Sequence, residues 1–220
     1  MTLEFAIAPE LAGRVRLGVL ALEGVCVAES DPALAGEVDV CSADFRKRYG
    51  GAKSAEVPGA ADARTLYKSL GLDPTKVRPS NEALLRRALK WEPLYRINTL
   101  VDALNLCSLR AQLPFGLYDA DQVSPPVVLR RGEASESYDG IRKGPVNVDG
   151  RPVLADARGP FGNPTSDSAR TMITLATRNA IVVVYAPAGY SRARLDDVLD
   201  ATATTLTQYC GGRVTDRRVV

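Results

Sequence analysis

Residues 97–119 read INTLVDALNLCSLRAQLPFGLYD. Ile97, Leu100, Val101, Leu104, Leu106, Cys107 and Leu109 would place apolar groups around nearly the whole circumference of a helix, so the helix has to be packed on most sides. Asn98, Asp102 and Asn105 interrupt it at spacings of four and three, which puts all three on one stripe. Polar groups on a buried helix usually bond to loop backbone and fix the fold; the other use for them is to line a pocket. In either case something polar faces the stripe, and the turn after Pro114 would aim it there.

The remaining pattern is mixed. Residues 5–8 suit a short strand closed by Pro9, and residues 15–27, rich in Val and Leu without helical caps, suit a long buried strand. Asp31-Pro32 is a helix start, with Asp as N-cap and Pro at the first position. The helix runs to about Tyr49 and ends at Gly50-Gly51. A second helix fits residues 60–70, stopped by Gly71. Ser80 or Asn81 can cap a third, whose apolar face is Leu84, Leu85, Ala88 and Leu89. After Pro114 the apolar runs shorten to 127–130, 153–155 and 181–185, separated by Gly/Pro turns. Residues 191–209 form a closing helix that starts at Ser191 and stops at Gly211-Gly212. With 45% hydrophobic and 25% charged residues in 220, the pattern predicts an α+β fold, a single domain with a central mixed β-sheet flanked by helices.

The chain contains no histidine and four cysteines, Cys26, Cys41, Cys107 and Cys210. No two of them are spaced as a zinc-binding pair, so no metal site is expected, and scattered thiols read as buried rather than disulfide-bonded. Without histidine, Ser-His-Asp and Cys-His catalysis are excluded unless a partner chain supplies one. No run approaches the roughly 20 apolar residues of a membrane span, so a cytoplasmic protein without membrane contact is expected. The net charge of +2 neither requires nor forbids a nucleic-acid partner.

Four segments in order carry a family resemblance. RINTLVDALNLCSLRAQLPFGLYDADQV contains Arg96, Asn98 or Thr99, Val101, Asp102, Asn105, Pro114, Tyr118 and Asp119 in an order that resembles that of the B3/B4 editing domain of the phenylalanyl-tRNA synthetase beta subunit. VDGRPVLADARGP (148–160) and ATRNAIVVV (176–184) resemble two further segments of that domain. RPSNEALLRRALK (78–90) and DSARTMIT (167–174) are similar to segments of stand-alone proteins built from it alone. The resemblance covers nearly the whole chain, with residues 1–75 as an N-terminal strand and helices and 76–220 as the family core. It implies a tRNA-directed protein that binds aminoacyl-tRNA and hydrolyses the ester of mischarged tRNA in trans, with no cofactor. Two departures remove the implication of tyrosine specificity. Gly116 stands where the synthetase pattern has histidine, and Val183 or a neighbour stands where it has glutamate. Gly116 is expected to leave room for a different or larger ligand.

The candidate residues each have two readings. Asp156 and Gly159, with Arg158, sit where a strand ends in a turn; they either present backbone N–H groups to an ester carbonyl or make a plain Asp turn. Asp167, Arg170 and Thr171, with Ser168, combine an acceptor, hydroxyls and a fixed cation. Arg170 either holds a phosphate or carboxylate or pairs with a surface acid, and Asp167 either serves the site or caps a short helix. Asn98, Asp102, Asn105, Phe115, Gly116, Tyr118, Asp119 and Phe161 are the remaining candidates for a substrate pocket. In a hydrolase without histidine, the tRNA's ribose hydroxyl or Asp119, Asp156 or Asp167 would activate water. Arg86, Arg87, Lys90, Arg130, Arg131, Arg142 and Lys143 are candidate RNA contacts or merely solvated faces. Tyr118, Phe161 or Tyr138 would stack on the terminal base. Two rival readings remain: a non-catalytic RNA-binding module, and a pocket for a free amino acid.

Overall fold

The computed structural model describes residues 4–220. The chain runs β1 (Phe5–Ile7), β2 (Val15–Glu23), α1 (Pro32–Tyr49), α2 (Ala60–Ser69), α3 (Ser80–Leu89), α4 (Thr99–Ala111), β3 (Phe115–Asp119), β4 (Val127–Arg131), β5 (Ser137–Asp139), β6 (Pro145–Asn147), β7 (Pro152–Asp156), β8 (Gly159–Asn163), β9 (Ser166–Asp167), β10 (Asn179–Pro187), α5 (Arg192–Cys210) and β11 (Arg213–Val219). This is the α+β fold that the sequence pattern predicts. Its mixed character comes from one parallel pair, β1 with β4; the neighbouring pairs are antiparallel.

The strands form two larger sheets, β1-β4-β7-β8-β9 and the antiparallel β11-β2-β10-β3, with β5 and β6 as a separate hairpin. Residue parity explains how they stack. Leu17 and Val19 of β2, Tyr118 of β3 and Ile181, Val183 and Tyr185 of β10 point one way. There they pack with Val127, Leu129, Leu154 and Phe161 of the other sheet, and Leu66 and Tyr67 of α2 join them. Leu20, Leu22, Phe115, Leu117, Val182 and Val184 point the opposite way, onto α1, α3, α4 and α5. β2 and β10 are therefore apolar at both parities because they are covered on both faces, unlike a half-solvated strand, whose polarity alternates.

Local caps set the helix starts. Asp31 accepts from the Leu34 amide, Asn98 from Val101 and Ser191 from Arg194. α3 departs from expectation. Its N-cap is Pro79, with no side-chain cap, because Asn81 is buried and its amide donates to the Gln112 carbonyl. α2 and α3 are joined by a charge pair: Arg64 binds the buried Glu82 through Nε and Nη2 at 2.9 and 2.8 Å, and Ser54 donates to the same carboxylate. Among the thiols, Cys107 and Cys210 are buried, whereas Cys41 is half-buried and Cys26 exposed. Among the described residues no helix is long and apolar enough to cross a membrane.

Candidate functional site

A cleft of about 1020 Å³ opens where α4, β3 and β9 meet the segment that follows β9. Val101, Leu104, Phe115, Leu117 and Ile173 form its walls, and Ile97, Ile141, Met172 and Leu175 stand exposed at its rim. An apolar cleft of this size with a few convergent polar groups is the usual form of a small-ligand site. Here the polar groups include Asp167, Ser80, Asn105, Asn98, Thr174 and Arg142, with Glu29 as a second carboxylate.

Asp167 is the group the fold treats most unusually. β9 pairs with β8, Asp167 opposite Gly162, and this brings the carboxyl over the intersheet core. Burial pushes it up to about 7; the Tyr118 hydroxyl, the Leu117 amide and the Lys143 charge oppose the shift. Its Oδ1 is buried with no hydrogen-bond partner among the described residues, and so is the Ser80 hydroxyl. Asp167 does not cap the turn at Ala169–Thr171. Ser168 does so, accepting from the Thr171 amide, so the Asp167 carboxyl is not spent on that turn, and the residue lines the cleft. A carboxyl titrating near neutrality can take a proton from water in a protein that has no histidine.

Below Asp167 lies Tyr118, fully buried, its hydroxyl 3.2 Å from that of Tyr185. This corrects the expectation for Gly116. A Cβ on Gly116 or on Gly162 would overlap the Tyr118 hydroxyl, so the phenol fills the space that Gly116 was expected to leave. Gly116 and Val183 are direct cross-strand partners. Val183 packs in the intersheet core, so Gly116 and Val183 face away from the cleft, whereas the neighbours Val182 and Val184 face the helices. Tyr118 therefore underlies the pocket rather than lining it.

Most of the other candidates are tied into the fold. Asp156 accepts from the amides of Ser124 and Arg158 and from both Nη atoms of Arg170 at 3.0 Å. Burial would raise this carboxyl, but Arg170 and the two amides outweigh it and hold it below the ordinary range. The Arg170 guanidinium also donates to the carbonyls of Gln122 and Gly159, so it pairs with an acid and holds a turn rather than presenting itself to a ligand. Thr171 is buried against Ser168. Gly159 opens β8 opposite Asp156, away from the cleft. Asp119 accepts from Thr177 Oγ1 at 2.6 Å and from the Asp121 amide. Phe161 is buried edge-on to Tyr118, and Tyr138 is buried with its hydroxyl on the Ser166 carbonyl. Tyr118, Phe161 and Tyr138 thus have no face open for a base.

On α4, Asn98 caps the helix, and Asp102 accepts from the Ile97 amide across the same end. Asn105 is half-buried, lines the cleft and has no hydrogen-bond partner among the described residues. Phe115 forms part of the wall. Of the basic candidates, Arg130 grips Glu136 with both Nη atoms at 2.7 Å, Arg131 donates to the Gly150 carbonyl, and Arg87 holds the Pro93 carbonyl. Lys143 donates to Ser166 Oγ. Arg142 stands at the cleft with φ of +53° and no partner among the described residues. Arg86 and Lys90 are exposed at the end of α3. Among the described residues no group of three or more Cys, Asp or Glu is placed to hold a metal ion.

No curated protein matches the chain. Among solved structures, it is similar to an N-terminal fragment of the phenylalanyl-tRNA synthetase beta subunit from Pyrococcus horikoshii, at 14% identity and a TM-score of 0.49. That match covers 97% of this chain, which spans about half the length of the fragment. The model of the B3/4 domain matches residues 62–211, from α2 to the end of α5 and including every element that borders the cleft, and the chain therefore belongs to the B3/4 domain family.

Proposed function

We propose that the cleft receives the aminoacyl end of an aminoacyl-tRNA and hydrolyses its ester. The observation that carries this reading is Asp167: a carboxyl titrating near neutrality, one oxygen unpartnered, at the wall of a cleft large enough for an amino acid and a terminal ribose. The apolar walls bind the amino-acid side chain, and Asn105 and Ser80 supply hydrogen bonds. Ionised Asp167 accepts a proton from a water as that water's oxygen adds to the ester carbonyl. Collapse of the tetrahedral intermediate breaks the bond to the ribose oxygen, which takes the proton. The products are a free amino acid and a tRNA with its hydroxyl restored. Asp156, Arg170 and Thr171 contribute by holding the turns around β9.

Incubating the protein with a panel of aminoacyl-tRNAs, including mischarged and D-amino acid forms, tests this. Loss of ester from some members, at least about 100-fold slower with Asp167→Asn, is the expected result. No loss above the spontaneous rate from any member contradicts it. A second reading, a pocket for a free amino acid, is favoured by the internal use of Arg87, Arg130, Arg131 and Arg170. Thermal stabilisation by a free amino acid and none by tRNA would select it.

A further inference from the structure

The segment between α3 and α4 turns its aromatic residues outward. Leu94 is buried at its centre and pins it to the core, while Trp91 is 79% and Tyr95 55% exposed. Trp91 has φ of +62° and closes α3 in the left-handed conformation, the Glu92 amide donating to the Arg87 carbonyl, which sets the ring just beyond the helix end. Each ring is backed on one face by a guanidinium. Arg46 lies 4.6 Å from the Trp91 ring and is anchored by donation to the Ala88 carbonyl; Arg87 lies 4.2 Å from the Tyr95 ring and is anchored on the Pro93 carbonyl. Arg86 and Lys90, one turn apart at the end of α3, are exposed and have no ion-pair partner among the described residues. The segment then reaches Ile97 at the cleft rim, within about 7 Å of chain from Tyr95.

We propose that Trp91 and Tyr95 form a stacking platform for unpaired nucleotides of an RNA strand. Aromatic rings with one open face, interleaved with cations for the phosphates, are what sequence-tolerant single-strand binding requires. An apolar protein surface would not need the unpaired Arg86 and Lys90. The arginines hold the rings in place; Arg46 adds positive charge beneath Trp91, whereas Arg87 is also paired with Glu92 at 3.3 Å. That the strand is a tRNA's unpaired acceptor end, entering the cleft beside Ile97, rests on the function proposed above; RNA binding by the platform itself does not.

Trp91 is the only tryptophan of the chain, so its fluorescence reports this surface alone. Titration with short unpaired oligoribonucleotides, with a blunt RNA duplex as control, is the test. The expected result is saturable quenching by the unpaired strands, weakened by salt and little reproduced by the duplex. Their affinity, read by anisotropy of a labelled strand, should fall at least about tenfold in the Trp91→Ala/Tyr95→Ala variant and also fall in Arg86→Glu/Lys90→Glu. All four side chains are exposed or half-exposed, and unchanged circular dichroism and melting would show the variants folded. Absence of quenching, or undiminished affinity in the aromatic variant, overturns the platform. Deacylation of a short aminoacyl ester by the same variant separates the two ideas. It should persist if the cleft is the hydrolytic site, whatever the fate of the platform.

Discussion

Asp167 is held in a place that suits a base and works against stability. Its carboxyl is pushed to about 7 from an ordinary 3.8, so between those values the folded chain keeps a proton that the unfolded chain releases. The stability cost is absent below about pH 4, grows as pH rises and is complete above about 7. Asp167→Asn should therefore raise the melting temperature at pH 8, by stability of up to about 4 kcal/mol, and leave it little changed at pH 4. Loss of activity together with gain of stability would mark the residue as functional rather than structural. Tyr118 acts through Asp167. Its hydroxyl lowers the carboxyl's affinity for protons, so Tyr118→Phe should move the rising limb of the pH–rate profile to higher pH. The measurement is the profile of kcat/KM between pH 5.5 and 8.5. A purely structural tyrosine would lower the rate without moving the limb.

At the scale of elements, the Arg64–Glu82 pair decides how α2 and α3 meet. The Glu82 side chain is 3% exposed, so Arg64→Ala leaves a buried carboxylate with only Ser54 as side-chain partner. It should cost about 3 kcal/mol in denaturant unfolding, whereas Glu82→Gln should cost less, since the amide keeps an oxygen for Arg64. Two helix starts were legible in the sequence because their signals are local: Asp31-Pro32 and Ser191 cap within three residues of themselves, whereas Asn98, read as part of a polar stripe inside α4, is instead its extended N-cap. β2 and β10 were legible because burial on both faces makes them continuously apolar. β11 was not, since RVTDRRV is an edge strand whose arginines pair with acids such as Asp196 and Asp200 and show no apolar alternation. The site was legible in part. Asp167 stood out among polar neighbours, but its burial depends on β8 and on Tyr118, about fifty residues away. Arg170 and Asp156 looked equally chemical until their mutual pairing was seen. Trp91 and Tyr95 carry no sequence pattern of their own; the positive φ and the arginine backing exist only in three dimensions.

For the whole molecule, the two-sheet stack sets which side of β3 lines the cleft and which packs in the intersheet core. Phe115 and Leu117 face the cleft, while Gly116 and Tyr118 face the intersheet core and support Asp167 from behind. Enlarging Gly116 or Gly162 would displace the Tyr118 hydroxyl, so Gly162→Ala should lower melting temperature and activity together, as read by calorimetry and deacylation on one preparation. Asp156 gives the stability profile its opposite slope: held below the ordinary range by Arg170, it contributes stability above about pH 4 that is lost on acidification. We propose that Asp167, in its ionised form, is the base of an ester hydrolase. The decisive experiment is single-turnover deacylation of a susceptible aminoacyl-tRNA by wild type and Asp167→Asn from pH 5.5 to 8.5, with spontaneous hydrolysis subtracted. A wild-type rate that climbs to a plateau near pH 7 and is lost in the variant at every pH is the predicted result. Equal rates for the two proteins, or a wild-type rate independent of pH across that range, would contradict it.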